Sequence, residues 1–380
     1  MKYIVNGRIM LPDAVVDGRV LAFDRRIQGI VERAPEGAEV YDAKGLWVAP
    51  GQIDLHCHGF KGMNASHASY DELREMSREL LKYGVTAWLP TTMTLAWDRL
   101  EACFAAIRWA MSDSQKPGWR GAQVLGCHAE GPFISPNRKG AQDEAYILPP
   151  DIEKLRPWRD VVRLMTIAPE VPGALPFIRQ ARKLGVTLSM GHTDATYDQA
   201  KAGIEAGITH ATHLFNAMPP LHHREPGAVG AALEDNRVYC ELIADTFHVS
   251  PALYPMLSKL AARRLVLITD SIEAAGMPDG EYDQMGQKII VDGIHCRFPD
   301  GTIAGSSLTM NNALRNFSLN SELSSWQLVN MATLQPARAI GMDDRKGALL
   351  RGRDADITIA DSGFNIHKVF VGGMLVYEGN

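Results

Sequence analysis

Eight short, nearly all-apolar runs recur at helix-sized intervals through the middle of this chain, and that alternation limits its fold more than any other feature. The runs cover residues 53–56, 85–92, 124–128, 162–167, 186–190, 211–215, 240–244 and 265–269. Amphipathic stretches separate them, among them residues 70–83, 98–111, 174–184, 197–206 and 251–263. In the first of these, Leu73, Met76, Leu80 and Leu81 share one helical face, and Gly84 stands where a C-terminal cap belongs. A strand that is apolar along its whole length must be covered on both faces, and helices between parallel strands provide that cover. Eight such units predict a (β/α)8 TIM-like barrel. An open doubly wound sheet carries the same alternation, and strand count alone does not show closure.

The two ends of the chain differ from the middle. Short strands separated by turns are predicted at residues 3–5, 20–23, 30–32 and 45–48, and again at 355–360, 366–371 and 374–377. Gly372-Gly373 between the last two is a hairpin signal. Neither end can bury a sheet alone. The expectation is one small β-sandwich domain assembled from both chain termini, residues 1–51 and 345–380, beside a barrel at 52–344.

Composition excludes several classes. The 39 Lys+Arg against 44 Asp+Glu leave a net charge of −5, with no basic stripe to displace counterions, so no nucleic acid is expected as partner. No apolar run reaches the ~18 residues of a membrane span, and residues 1–7 lack the features of a signal peptide. Cys57, Cys103, Cys127, Cys240 and Cys296 are odd in number and never form a CxxC pair. Reduced thiols in a cytoplasmic protein follow. No GxGxxG follows a strand, which disfavours a dinucleotide-dependent oxidoreductase.

In a barrel, functional side chains gather where the strands end. The first strand ends in His56-Cys57-His58, and strand alternation puts both imidazoles on one face and Cys57 on the other. The third ends in His128-Ala129-Glu130, the fifth leads to His192, the sixth to His213 and the eighth to Asp270. Imidazole and carboxylate suit zinc, iron and similar ions, and three or four ligands with an open position describe a catalytic metal site. Each residue alone has an ordinary reading: a core histidine at 192, loop caps at Glu130 and Asp270. His128 suits a hydrogen-bonding role behind the ligands better than ligation. Met63, Met93, Met190 and Met218 suit packing. His222 and His223 could meet phosphate, a partner subunit or solvent.

Longer motifs surround these residues: Pro50-Gly51-Gln52-Ile53-Asp54, His128-Ala129-Glu130-Gly131-Pro132-Phe133, Gly191-His192-Thr193-Asp194-Ala195, His213-Leu214-Phe215-Asn216-Ala217-Met218, Arg224-Glu225-Pro226-Gly227, Leu267-Ile268-Thr269-Asp270 and Ala304-Gly305-Ser306-Ser307. With them the chain resembles the amidohydrolase superfamily over essentially its whole length and, within it, the N-acetylglucosamine-6-phosphate deacetylases. The resemblance implies metal ligation by Glu130, His192 and His213, with His56 and His58 able to hold a second ion bridged by Glu130. The cofactor would be a divalent metal, zinc or iron, with one or two ions per subunit. Asp270 would be the catalytic base and then acid. The strand-four lysine of several hydrolytic relatives is absent, since that end reads Ile167-Ala168-Pro169-Glu170.

The implied substrate is a phosphorylated N-acetylhexosamine, and the implied activity is removal of its acetyl group to give glucosamine 6-phosphate and acetate. Arg224 and His248 match phosphate-holding positions, and Asn216-Ala217 offer backbone N–H groups. Ile303-Ala304-Gly305 match a substrate-lining stretch. Gln142 stands where some members carry a sugar-contacting histidine. The resemblance also implies a homodimer that completes each phosphate pocket. Two other functions share the barrel: a cyclic-amide hydrolase of the dihydroorotase or hydantoinase type, which normally needs the missing lysine, and a non-catalytic scaffold, which should have lost ligands that are all present here.

Overall fold

The computed structural model describes residues 1–284 and 286–379. Eight parallel strands form its centre: β1 (Gln52–Cys57), β2 (Val85–Thr92), β3 (Cys127–Glu130), β4 (Val162–Ile167), β5 (Thr187–Met190), β6 (His210–Ala211), β7 (Tyr239–Ile243) and β8 (Leu265–Ile268). Each pairs in parallel with the next. Just beyond β8, Ser271 bridges Cys57 in parallel, and the Asp270 N–H donates to the His56 carbonyl at 2.8 Å. The sheet therefore returns to its first strand. It is a barrel and not an open sheet.

Local chemistry explains where the elements start and stop. Helix Tyr70–Leu80 opens with a capping box in which Ser69 and Glu72 satisfy each other's backbone N–H groups, and its exit at Gly84 has φ 86°. Helix Tyr197–Ala206 opens the same way on Thr196 and Gln199. The run predicted at 124–128 is interrupted: Gln123–Val124 and β3 pair with β2 separately. Gly126 lies between them at φ 150°, where a Cβ would stand 2.7 Å from that of Arg163. The run predicted at 211–215 ends at Ala211, because His213, Phe215 and Ala217 all take positive φ.

The termini combine as expected. A four-stranded sheet holds Lys2–Val5, Val20–Phe23, Ile27–Val31 and Glu39–Asp42. A six-stranded sheet interleaves both ends of the chain, pairing Ile357–Ala360 antiparallel with Trp47–Pro50. Ile4, Leu21, Phe23, Val48, Ile357 and Phe370 share one buried cluster. The hairpin turn Gly372-Gly373 has φ 51° and 74°, the left-handed pair that two-residue turns require.

Sequence periodicity did not reveal a three-stranded antiparallel sheet, Gly280–Gln284, Gln287–Asp292 and His295–Arg297, which stands over the barrel mouth on its own small core. Helices Gly227–Glu234, Met310–Leu319, Ser325–Ala332 and Leu334–Ala339 were likewise not anticipated. Among the described residues, no helix is long and apolar enough to cross a membrane.

Candidate metal centre

The strand ends bring six ligand-type side chains together. His56 and His58 have Nε2 atoms 3.1 Å apart, and so do His192 and His213. Glu130 lies between the pairs. Its Oε1 is 3.3 Å from His56, 3.2 Å from His192 and 3.0 Å from His213, and its Oε2 is 3.2 Å from His58. Asp270 Oδ1 is 3.3 Å from the Nε2 atoms of both His56 and His58. Two groups that could each hold an ion, His56–His58–Glu130 and Glu130–His192–His213, thus share one carboxylate.

Three of these side chains are aimed by an unusual backbone. His192, His213 and Asp270 each stand two residues beyond a strand, with φ 46°, 28° and 51°. Left-handed backbone is costly for a residue with a side chain, roughly 1–3 kcal/mol each, and it persists where the surroundings over-determine it. Here it turns the side chains inward across the mouth.

The hydrogen bonds behind the rings decide what the site can bind. His56 Nδ1 is 3.0 Å from Glu241 Oε2, His58 Nδ1 is 3.1 Å from the Thr91 carbonyl, and His192 Nδ1 is 2.9 Å from the Arg138 carbonyl. Those acceptors have no proton to give, so each Nδ1 carries one, and whenever the ring is neutral its Nε2 points a lone pair inward. Lone pairs and carboxylate oxygens crowded to about 3 Å repel one another unless positive charge lies among them. Electrostatics say the same. Burial works to raise Glu130, but His56 and His192 hold it well below the usual carboxylate range. Burial works to lower His58, yet Asp270 and Glu130 lift it to about 9. Protons or a divalent ion must supply that charge, and the donor set of imidazoles and carboxylates fits the ion.

His128 is outside the ligand set. Its Nδ1 meets the Leu55 carbonyl at 3.1 Å and its Nε2 meets Thr166 Oγ1 at 2.8 Å, so both nitrogens are engaged. Burial pushes its imidazole down to about 3. Glu170, at the end of β4, accepts from Thr193 Oγ1 at 2.5 Å and from the Asp194 N–H at 2.6 Å. It ties down the loop after β5.

A cavity of about 270 Å³ opens above the cluster. His58, Glu130, His192, His213 and Asp270 line it, together with Gln142, Asn216, Ala217, His248, Ile303 and Gly305. Gln142 is already engaged: its Oε1 accepts from the Thr94 N–H at 2.7 Å and its Nε2 donates to Glu130 Oε2 at 2.5 Å. The Asn216 N–H is used within its own turn, donating to the His213 carbonyl. His248 is oriented by Asp245, whose Oδ2 lies 2.6 Å from its Nδ1. Ala304 is not in the lining; it is buried and packed with Ile272, Ile289 and Cys296. Arg224 is not brought to the cavity within one chain: it is exposed, with its guanidinium 2.8 Å from His223 Nε2.

Sequence reasoning gave Met93 to packing and passed over Gln284 and Thr302, all three of which line the cavity, and it passed over Glu241 on β7. Only Glu241 left a signal, a single carboxylate inside an otherwise apolar barrel strand.

A sequence model described as the amidohydrolase family matches residues 47–376. Curated relatives include the N-acetylgalactosamine-6-phosphate deacetylase of Escherichia coli O157:H7, 35% identical over 380 residues and 99% of each chain. The N-acetylglucosamine-6-phosphate deacetylase of Bacillus subtilis (strain 168) is 37% identical, over 87% of this chain and 84% of its own. Among solved structures, the N-acetylglucosamine-6-phosphate deacetylase of Pasteurella multocida superposes with a TM-score of 0.93 at 30% identity, covering 100% of both chains. A mutant of the Mycobacterium smegmatis enzyme, solved in complex with N-acetyl-D-glucosamine-6-phosphate, gives a TM-score of 0.89 at 33% identity over 99% of this chain and 98% of that one. The chain belongs to the amidohydrolase family of metal-dependent hydrolases and, within it, groups with the amino-sugar-phosphate deacetylases.

Proposed function

We propose that this protein hydrolyses the acetamido group of N-acetylglucosamine 6-phosphate to glucosamine 6-phosphate and acetate, in amino-sugar catabolism or recycling. The observation that carries the reading is the convergence of four imidazole Nε2 atoms and Glu130 on one point of the barrel mouth, with Asp270 Oδ1 3.3 Å from two of them. Zinc or iron would suit the donor set, one or two ions per subunit, with Glu130, His192 and His213 able to hold one and His56, His58 and Glu130 a second. A divalent ion bound there lowers the pKa of a water toward ~7 and polarises the acetyl carbonyl. The chain supplies the rest. Asp270 takes the attacking water's proton and passes it to the departing amine nitrogen. Ile303, Gly305 and the Asn216-Ala217 turn confine the sugar, and Gln142 holds Glu130 in place.

His248 lines the cavity and would hold the phosphate end of the substrate. Arg224 projects from its own chain on the exposed segment Leu221-His222-His223-Arg224, and in a homodimer it would reach the phosphate held by the partner. A guanidinium there gives paired, charge-assisted hydrogen bonds to phosphate oxygens. A cluster drawn only from the two termini, Ile4 to Val48 with Leu349 to Phe370, supports a division into residues 1–51 with 345–380 and residues 52–344, and Met10, Ala49 and Phe364 pack across the boundary into the barrel core. Free, buried cysteines fit a cytoplasmic location. A cyclic-amide hydrolase is disfavoured because Glu170 occupies the strand-four end and is already engaged by the next loop.

The test is steady-state acetate release from N-acetylglucosamine with and without the 6-phosphate. The phosphorylated sugar should be strongly preferred. Arg224→Ala should lower kcat/KM mainly through KM, by about 1.5–3 kcal/mol for a lost charged hydrogen bond. Equal turnover of both sugars would refute the phosphate assignment.

A further inference from the structure

Glu241 has no place in the chemistry described above, yet it is wholly buried beneath the metal centre, in the middle of β7. Three donors converge on its carboxylate. Oε2 accepts from His56 Nδ1 at 3.0 Å and from the His213 backbone N–H at 3.1 Å, while Oε1 accepts from His210 Nε2 at 3.1 Å. Its own backbone carbonyl accepts from the Leu214 N–H at 2.9 Å. A buried carboxylate is tolerated only where such partners offset its desolvation. This one connects the rear of a β1 ligand to the left-handed turn that aims the β6 ligand.

We propose that Glu241 is a positioning residue: by holding the proton on His56 Nδ1 it makes His56 Nε2 a metal acceptor, so that the His56–His58 ion depends on Glu241. The inference rests on the metal-centre reading above, but on no substrate. The two half-sites differ in how they meet Glu241. His56 touches it through the ring, so the carboxylate charge acts directly on ligand basicity. His213 touches it only through the backbone, and its ring Nδ1 is buried without a partner among the described residues. Dependence on Glu241 is therefore asymmetric, strong at the His56–His58–Glu130 group and weak at Glu130–His192–His213.

Glu241→Gln separates charge from shape. Gln has one oxygen, which must stay opposite the two donors His56 Nδ1 and His213 N–H. Its NH2 then faces His210 Nε2, and His210 accommodates it by moving its proton to the unpartnered Nδ1. The fold survives and the charge is lost. With zinc as the probe, chelator competition on the full-length protein should show two ions in the parent chain. In E241Q one ion should bind 10–100-fold more weakly, with the other essentially unchanged. His56→Asn should weaken the same ion, and H56N/E241Q should be no worse than H56N. Wild-type affinity for both ions in E241Q, equal weakening of both, or additive losses in the double variant would overturn the proposal. Should E241Q fail to fold, long-range 1H–15N spectra of the zinc-loaded parent decide it: a proton on His56 Nδ1 is expected, and a bare Nδ1 overturns it. A protein that shows this pattern but releases no acetate would refute the functional reading and leave this one standing.

Discussion

At the scale of single residues, three of the six side chains the chemistry needs, His192, His213 and Asp270, are held in backbone conformations that most side chains avoid. Asp270 stands at φ 51°, and asparagine tolerates that region as readily as aspartate. Asp270→Asn therefore adds no strain; it removes the carboxylate charge beside His56 and His58 and with it the ability to accept a proton. It should retain metal and substrate binding while kcat falls at least ~10²-fold, as for a general base, in single-turnover assays. A metal-loaded variant with near wild-type turnover would leave Asp270 without its catalytic role. The candidate ligands were legible in the sequence because each lies at a strand end, where alternation and chain order already place it. Glu241 was not singled out, because one carboxylate within the run 240–244 does not alter its apolar pattern. Arg224 was legible as a residue type, but its location depends on a loop and, in our reading, on a second chain. The backbone donors at Asn216-Ala217 were legible as a motif, although the turn consumes one of them.

The elements show the same dependence on how far a signal extends. Runs that are buried on both faces, such as Val85–Thr92 and Val162–Ile167, have the bounds the sequence suggested. The sheet over the barrel mouth was missed because its burial is sparse: in Gln287–Asp292 only Ile289 and Val291 point inward, and Ile290 is exposed. Two inward residues are too few to stand out as alternation. Where barrel and terminal sheets meet, a buried cation stands beside the apolar packing. Lys346 Nζ is 2.5 Å from Asp356 Oδ2 and 3.0 Å from Asp354 Oδ2, and it also donates to the Gln123 side chain just before β3. Burial works against the Asp354 carboxylate, and Lys346 together with Arg345 outweighs it, holding the group below its ordinary range. Removing the ammonium leaves the buried Asp356 carboxylate without a cation, while Asp354 keeps Arg345 at 2.9 Å. Lys346→Met should cost about 3–5 kcal/mol in urea denaturation, the range for breaking a buried pair. A loss within a few tenths of a kcal/mol would mean that water already shields the cluster.

For the whole molecule, two layers of organisation meet at the barrel mouth. The closed sheet fixes the strand ends, and the strand ends fix the imidazoles and carboxylates to within about 3 Å of one another. The chain-wide alternation made the barrel legible, and strands predicted at both termini made the second unit legible. Closure itself was not legible, because it depends on the pairing of Cys57 with Ser271, residues 214 positions apart in the sequence. Removal of the ion should silence the protein without unfolding it, since the buried apolar core lies below the site. The most direct test is acetate release from N-acetylglucosamine 6-phosphate by protein stripped of metal with a chelator, then reloaded with zinc or ferrous iron. The expected result is loss of turnover on stripping with the far-ultraviolet circular dichroism unchanged, and recovery on reloading. Undiminished acetate release from protein verified to be metal-free would contradict the account at its centre.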